Sequence, residues 1–330
     1  MRNQIIEFYN DPDFQRLNSY YNRTTIFNIL NIERRELSHS AFLKWLFDIN
    51  GSHNFGEEPL KKLLRMLVNT DNDNILSEDI LNILVIGDYE IHNFHIETEK
   101  VVESDKNKGR IDIFAKFNIF KENSEKDFKK DIIVIIENKV DSKHHDDQTT
   151  TYKEWAEKKY NESVIIPIYL TPYPENEKNE IANYFIITYQ DVLEHVIEPL
   201  LNMEMDTDTK IILEDYIINL GQAKKQIDDN GKMSNLETIL AVSKKNKKTF
   251  SELLMRYDDL LNSSMVAYYN KKGELKNIIR DNLSNIRKSI KDNNCESLLS
   301  SFWDTNKMLL RIIYLYGKEF DNEDENSLKK

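Results

Sequence analysis

Cysteine is nearly missing: the 330-residue chain carries one, Cys295. That single thiol excludes an intrachain disulfide and a cysteine-based zinc site, and it suits a reducing compartment. Glycine and proline are scarce as well, at 8 and 6, so no flexible linker of the usual composition can be drawn. No repeat with a period of about 20 to 50 residues stands out, which sets solenoids and propellers aside. No apolar run approaches the roughly 20 residues that cross a bilayer, and the opening MRNQIIEFYNDPDFQ lacks the apolar core of a signal peptide. The expected location is therefore the cytoplasm, with no membrane partner.

Net positive charge is also lacking. Lys and Arg total 45 against 57 Asp and Glu, a formal net charge of −12. This argues against non-specific nucleic-acid binding by the whole surface, because such binding rests on neutralising phosphates. The imbalance is uneven: residues 222–330 hold 20 basic and 16 acidic side chains, the first 221 residues 25 and 41. The run Lys244-Lys245-Asn246-Lys247-Lys248 and the run Arg287-Lys288-Ser289-Ile290-Lys291 are the densest basic stretches. Lys244, Lys245, Lys247 and Lys248 are candidate nucleic-acid contacts beside an acidic centre; the alternative for such a run is a solvated helix face.

Hydrophobic residues make up 40% of the chain, enough for a sizeable core. The most informative stretch is IIVIIENK, Ile132 to Lys139. Five consecutive apolar residues read as a strand buried on both faces, because an exposed strand would alternate. Side chains alternate along a strand, so Glu137 and Lys139 share a face about 7 Å apart. Unpaired charge is costly at the end of a buried strand, so the two form either a satisfied salt bridge or a working site. Upstream, Gly109-Arg110-Ile111-Asp112-Ile113-Phe114-Ala115 is another strand pattern, with one carboxylate among apolar neighbours and a glycine at its entry. Two carboxylates and a lysine from adjacent strands are a minimal hydrolytic site for a phosphodiester. The carboxylates would hold a hard divalent cation, and the ammonium would face the phosphate.

Asp112, then Glu137-Asn138-Lys139 after a charged insertion at Lys121 to Lys130, resembles the signature of the PD-(D/E)XK nuclease superfamily. The insertion reads as a hairpin extension that leaves the two strands free to pair. The name-giving proline is Ile111 here. Gln148, Tyr152 and Trp155 recur at helical spacing after the lysine, as a Gln and a Tyr do in branches of that superfamily. Glu36-Leu37-Ser38-His39-Ser40-Ala41-Phe42-Leu43-Lys44-Trp45-Leu46 is similar to its first helix, and the likeness covers about residues 33 to 222. The resemblance implies catalytic Asp112, Glu137, Lys139, Gln148, Glu36 and Tyr152. It further implies Mg²⁺, with Mn²⁺ as substitute, held by Asp112, Glu137 and the Asn138 carbonyl. His39, His144 and His145 are further candidates for polar site lining; exposure is the ordinary explanation for the last two.

The pattern along the chain gives helices at residues 24–47 and 58–69. Strands follow near residues 89–102, 110–118, 131–139, 164–171 and 184–188, with a helix at 147–159 before the fourth. Helices are expected at 190–201 and 210–222. The fold class is α/β: a restriction-endonuclease-like α-β-β-β-α-β core whose mixed sheet is flanked by helices, with a helical C-terminal extension. The expected domains are residues 1–226, nuclease-like, and 227–330, mainly helical with a short strand at Met308 to Tyr316. The function so implied is a divalent-metal-dependent nuclease, acting on DNA sooner than RNA, in restriction, repair or anti-phage defence. The competing reading is a noncatalytic module of the same fold, binding nucleic acid or a partner protein. The C-terminal helices would serve a homo-oligomer or that partner.

Overall fold

The computed structural model describes residues 1–69, 75–103, 108–122, 128–140, 146–172, 181, 183–222, 224–227, 233–272, 283–292 and 294–327; side chains at 108, 146–148, 224–227, 233–238, 284 and 318–327 lie outside the description. The chain forms two compact units. One is Thr25–Leu220 with Ile239–Ala241; the other joins Met1–Thr24 to Gly221–Thr238 and Val242–Lys330.

Met1–Thr24 supplies helices α1 (Arg2–Asn10) and α2 (Pro12–Tyr21). Asp11 starts α2 as an N-cap, its carboxylate accepting from the N–H groups of Asp13 and Phe14, with Pro12 preset for the first turn. The next unit opens with α3 (Ile26–Leu30) and α4 (Glu36–Phe47). Residues 24–47 therefore form two helices where periodicity suggested one. A reciprocal Thr25–Asn28 capping box starts the first, and Asn31, at φ 52°, ends it in the left-handed region. Helix α5 (Glu58–Val68) buries Leu60, Leu63, Leu64 and Leu67, and α6 (Glu78–Ile86) stops at Gly87, φ 72°.

The sheet follows: β1 (Glu90–Glu103), β2 (Lys108–Lys121), β3 (Phe128–Asn138), helix α7 (Asp146–Lys159), β4 (Val164–Thr171) and β5 (Phe185–Thr188), in spatial order β1-β2-β3-β4-β5. The first three strands pair antiparallel, and β3–β4–β5 are parallel, giving the expected mixed sheet and α-β-β-β-α-β order. Strand β3 is central and Ile132 to Ile136 are all buried, as their unbroken apolar run requires. The β2–β3 ladder continues out to Lys121↔Phe128, so the described ends of the insertion pair as a hairpin extension requires, and residues 123–127 lie outside the described residues. After β5 come α8 (Tyr189–Val192), a π-turn (Leu193–Ile197), α9 (Glu198–Leu200) and α10 (Thr207–Gly221). The N–H groups of Leu240 and Ala241 return to the Leu220 carbonyl.

The remaining chain forms strands β6 (Lys224–Ile227) and β7 (Met233–Thr238), an antiparallel ribbon in place of the helix expected there, then α11 (Lys244–Arg256), α12 (Asp258–Lys272), α13 (Leu283–Asp292), α14 (Glu296–Thr305) and α15 (Lys307–Ser327). Met308 to Tyr316 is thus helix and not a strand. Leu309, Leu310, Ile312 and Ile313 are buried at helical spacing, and packing of α15 against α11 overrides their β-branched preference. The N-terminal helices are tied into this unit by Arg256, which bonds Asp13 at 2.7 Å and Asp11 at 3.1 Å. Among the described residues no helix is long and apolar enough to cross a membrane.

Candidate active site

The β2–β3 ladder closes at Ile113↔Ile136, one residue short of Asp112. There Asp112 Oδ2 accepts the Asn138 N–H at 2.7 Å, a carboxylate standing where a strand carbonyl would otherwise accept. On the other side of β3 the parallel ladder runs one step further, Lys139 N–H donating to the Leu170 carbonyl at 2.8 Å. Glu137 and Lys139 therefore end the central strand with backbone fixed and side chains on one face, where ligands of α/β sheets bind. Glu137 Oε1 meets Lys139 Nζ at 2.7 Å, their side chains 4% and 10% exposed. Glu137 Oε2 is buried without a hydrogen-bond partner.

Asn138, between them, points the other way and is fully buried. Its amide donates to the Glu36 carbonyl at 3.2 Å and to Ser40 Oγ at 3.0 Å, and its oxygen accepts from the Tyr189 hydroxyl at 2.5 Å. One residue of the motif thus ties α4 to the end of β3. Glu36, in the first turn of α4, completes the link: its Oε1 accepts the Val140 N–H at 2.9 Å, while Arg34 reaches the Val140 carbonyl at 3.4 Å. The backbone just past Lys139 is gripped from both sides.

Tyr152, nearly two turns into α7, is buried, and its hydroxyl accepts the Arg110 N–H at 3.2 Å. Its ring lies against Gly109, where an added Cβ would sit 2.4 Å from Tyr152 Cε1; that close approach is what the glycine permits. Tyr184 holds the start of α7 by donating to the Thr149 carbonyl at 2.7 Å.

Burial, then the Glu137 charge, push Asp112 up to about 7, against the opposing Asn138 N–H and Lys139. Burial raises Glu137 too, countered by Lys139 and reinforced by Glu36 and Glu99. Desolvation favours a neutral Lys139, but Glu137 and Asp112 outweigh it, so the lysine is held above its ordinary value as an ammonium. Burial and then Glu137 also raise Tyr152. The carboxylates around Lys139 exceed what its single charge offsets.

Among the described residues no three His, Cys, Asp or Glu side chains are gathered tightly enough to hold a metal ion. The donor chemistry at Asp112 and Glu137 nevertheless fits a hard dication. Both are oxygen ligands, one oxygen of Glu137 is unspent, and burial first, with neighbouring carboxylate charge after it, holds both toward protonation, which a bound cation would oppose.

The structure brings Glu36, Asp112, Glu137, Lys139 and Tyr152 together. Gln148 opens α7, but its side chain lies outside the described residues, as do His144 and His145. His39 is a core histidine, its ring nitrogens 2.9 Å from the Tyr216 hydroxyl and the Glu33 carbonyl, and it does not line the site. Glu97 is bound by Lys100 at 2.6 Å and His95 at 3.1 Å. Lys244, Lys245 and Lys248 are exposed on α11 of the other unit; Lys247 lies over the Tyr316 ring. Ser40, Tyr184 and Tyr189 were not anticipated. Only Ser40 left a signal, a small polar residue four positions after Glu36 on the same helix face.

A family model described as the PD-(D/E)XK nuclease superfamily matches residues 24–218. No curated protein and no solved structure matches the chain. The matched span covers more than half of the sequence and carries all five strands of the mixed sheet, with Glu137 and Lys139 at the end of the central strand and Asp112 on the neighbouring β2, and the chain belongs to the PD-(D/E)XK nuclease superfamily.

Proposed function

We propose that the protein is a divalent-metal-dependent nuclease that hydrolyses phosphodiester bonds of DNA, in the cytoplasm, in the setting of restriction, repair or anti-phage defence. One observation carries the reading: a buried Glu137–Lys139 pair at 2.7 Å, with Glu137 Oε2 unspent and Asp112 beside it, in a chain of a nuclease superfamily.

Asp112 and Glu137 would hold Mg²⁺, or Mn²⁺ in its place, with the Asn138 carbonyl as a further oxygen. When bound, such a cation supplies positive charge to the phosphoryl group and makes water a better nucleophile. The ammonium of Lys139 would face the phosphate as a point charge, stabilising the charge that develops there. Glu36 positions the lysine by pinning Val140 and adds carboxylate charge to the site. Tyr152 lines the approach, Gln148 would contact phosphate or a metal-bound water, and Lys244, Lys245, Lys247 and Lys248 would track substrate phosphates on the second unit.

Purified protein incubated with linear, circular and single-stranded DNA and with RNA, in Mg²⁺ and in chelator, tests the proposal. Cleavage that needs the cation and Lys139 is the expected result. Cleavage of RNA alone would move the substrate assignment, and no cleavage of any polymer would leave a binding module of the same fold.

A further inference from the structure

A second surface of the sheet-bearing unit begins where the site ends. Phe114 lies two residues beyond Asp112 on β2, and Trp155 lies three beyond Tyr152 on α7. These spacings set both next to the site, about 7 Å along the strand and about 5 Å along the helix. Phe114, Trp155 and Tyr160 form a triangle of rings with centroids 5.8 to 6.0 Å apart. Phe114 is buried, while Trp155 and Tyr160 are only partly so, packed against the core on one side.

Cations stand over these rings. Lys159 Nζ stands 4.9 Å from the Trp155 centroid and 5.7 Å from that of Tyr160, Lys116 stands 5.2 Å from Tyr160, and Lys100 stands 5.4 Å from Phe114. Two ammonium groups, of Lys116 and Lys159, thus stand over the two partly open rings and a third, of Lys100, over the buried Phe114, in a unit that is otherwise rich in acid. Of these three lysines Lys100 is paired with Glu97, which also meets His95, and Glu157 on α7 is engaged by Lys153.

We infer that Trp155 and Tyr160, with Lys100, Lys116 and Lys159, form a shelf that takes unpaired nucleotides of a substrate strand leading to the site. A strand offers both things the shelf needs: base faces for the rings and phosphates for the ammonium groups. An exposed ammonium–ring contact is weak beside base–ring stacking, so the flexible lysines swing from ring to phosphate as a base takes their place. A duplex keeps its base faces stacked on one another and cannot use the rings. The identity of the polymer rests on the nuclease reading; the preference for unpaired nucleotides rests on the shelf.

The test uses the full-length protein in chelator, so that binding is read without metal-dependent cleavage. Fluorescence anisotropy is followed over a salt series with labelled oligothymidylate, oligouridylate and a DNA duplex of equal length. Single strands should bind more tightly than the duplex, the two oligomers separating DNA from RNA as the source. Trp155→Leu should weaken single-strand binding about tenfold or more, and Trp155→Phe should restore most of it. Lys116→Gln with Lys159→Gln should lower the slope of log affinity against log salt by about 1.4 and leave duplex binding nearly unchanged. Both lysines are peripheral, so this pair keeps the test available should Trp155→Leu fail to fold. Equal affinity for duplex and single strand, or variants that bind as the parent does, would overturn the shelf.

Cleavage by the unsubstituted chain in Mg²⁺ is read separately. Cleavage with a shelf that does not matter sinks this inference alone. Shelf-dependent binding without cleavage sustains it and sinks the nuclease reading.

Discussion

Asp112→Asn gives the sharpest separation between a working site and a structural cluster. Its carboxyl is pushed up to about 7 from an ordinary 3.8 by burial and the neighbouring Glu137. At about 1.4 kcal/mol per pH unit, that difference caps the cost of ionising it in the folded chain at about 4 kcal/mol. Glu137 titrates with it and shares the relief, so the working expectation is a gain of about 1 to 3 kcal/mol when the charge is removed. The amide oxygen of the substituted side chain can still accept the Asn138 N–H, so little else is lost. The sign is fixed by the direction of the shift. The penalty is fully present above pH 7, where the carboxylate is ionised whether folded or not, and it fades as pH falls toward 3.8, where both states hold the proton. In chelator at pH 8 the variant should therefore melt higher than the parent, by about 2 to 4 °C per kcal/mol for a unit of this size. At pH 5 the gap should narrow. Mg²⁺ should raise the melting temperature of the parent and not of the variant, reversing the order. Thermal and urea unfolding with and without chelator measure all of this. A variant less stable than the parent at pH 8 in chelator would show a carboxylate kept for the fold, and the reasoning would fail.

Lys139→Ala should cost at least about a hundredfold in cleavage, and it should also destabilise the metal-free chain by about 3 kcal/mol because Glu137 is left buried and unpaired. Adding Glu137→Gln should return stability and no activity, so cleavage by either variant would refute the assigned role. Gly109→Ala drives a Cβ into the Tyr152 ring, 2.4 Å from Cε1. It should cost about 1 to 3 kcal/mol in urea unfolding and lower kcat; a neutral result would show that the ring moves freely. Neutralising Lys244, Lys245, Lys247 and Lys248 should weaken nucleic-acid binding and flatten its salt dependence, with single-turnover cleavage at saturating substrate little changed. Unchanged binding at every salt concentration would make that run a solvated helix face.

The central strand and its two charged ends were legible because their physics is local. An unbroken apolar run demands a strand covered on both faces, and period-two alternation puts Glu137 and Lys139 together wherever that strand lies. Gly109 was visible as a glycine but not as the seat of Tyr152, since the ring arrives from 43 residues further along. Asn138 reads as a spacer in the motif, yet its side chain holds α4 through Ser40 and α8 through Tyr189. Hydrogen bonds to a buried amide follow no period, so nothing in the sequence advertises them. Met308 to Tyr316 misled because β-branched and aromatic residues suggest a strand, whereas the buried positions recur at helical spacing and the packing partner is distant. Arg256 closing on Asp11 and Asp13 is of the same kind: a contact across most of the chain, which no window of sequence contains.

The most direct measurement is cleavage of linear DNA by the purified chain in Mg²⁺, in Ca²⁺ and in excess chelator, run beside Lys139→Ala. Turnover in Mg²⁺ or Mn²⁺, little in Ca²⁺, none in chelator and none in the variant is the expected pattern. Full activity in chelator, or a variant that cleaves like the parent, would contradict a site built on Asp112, Glu137 and Lys139.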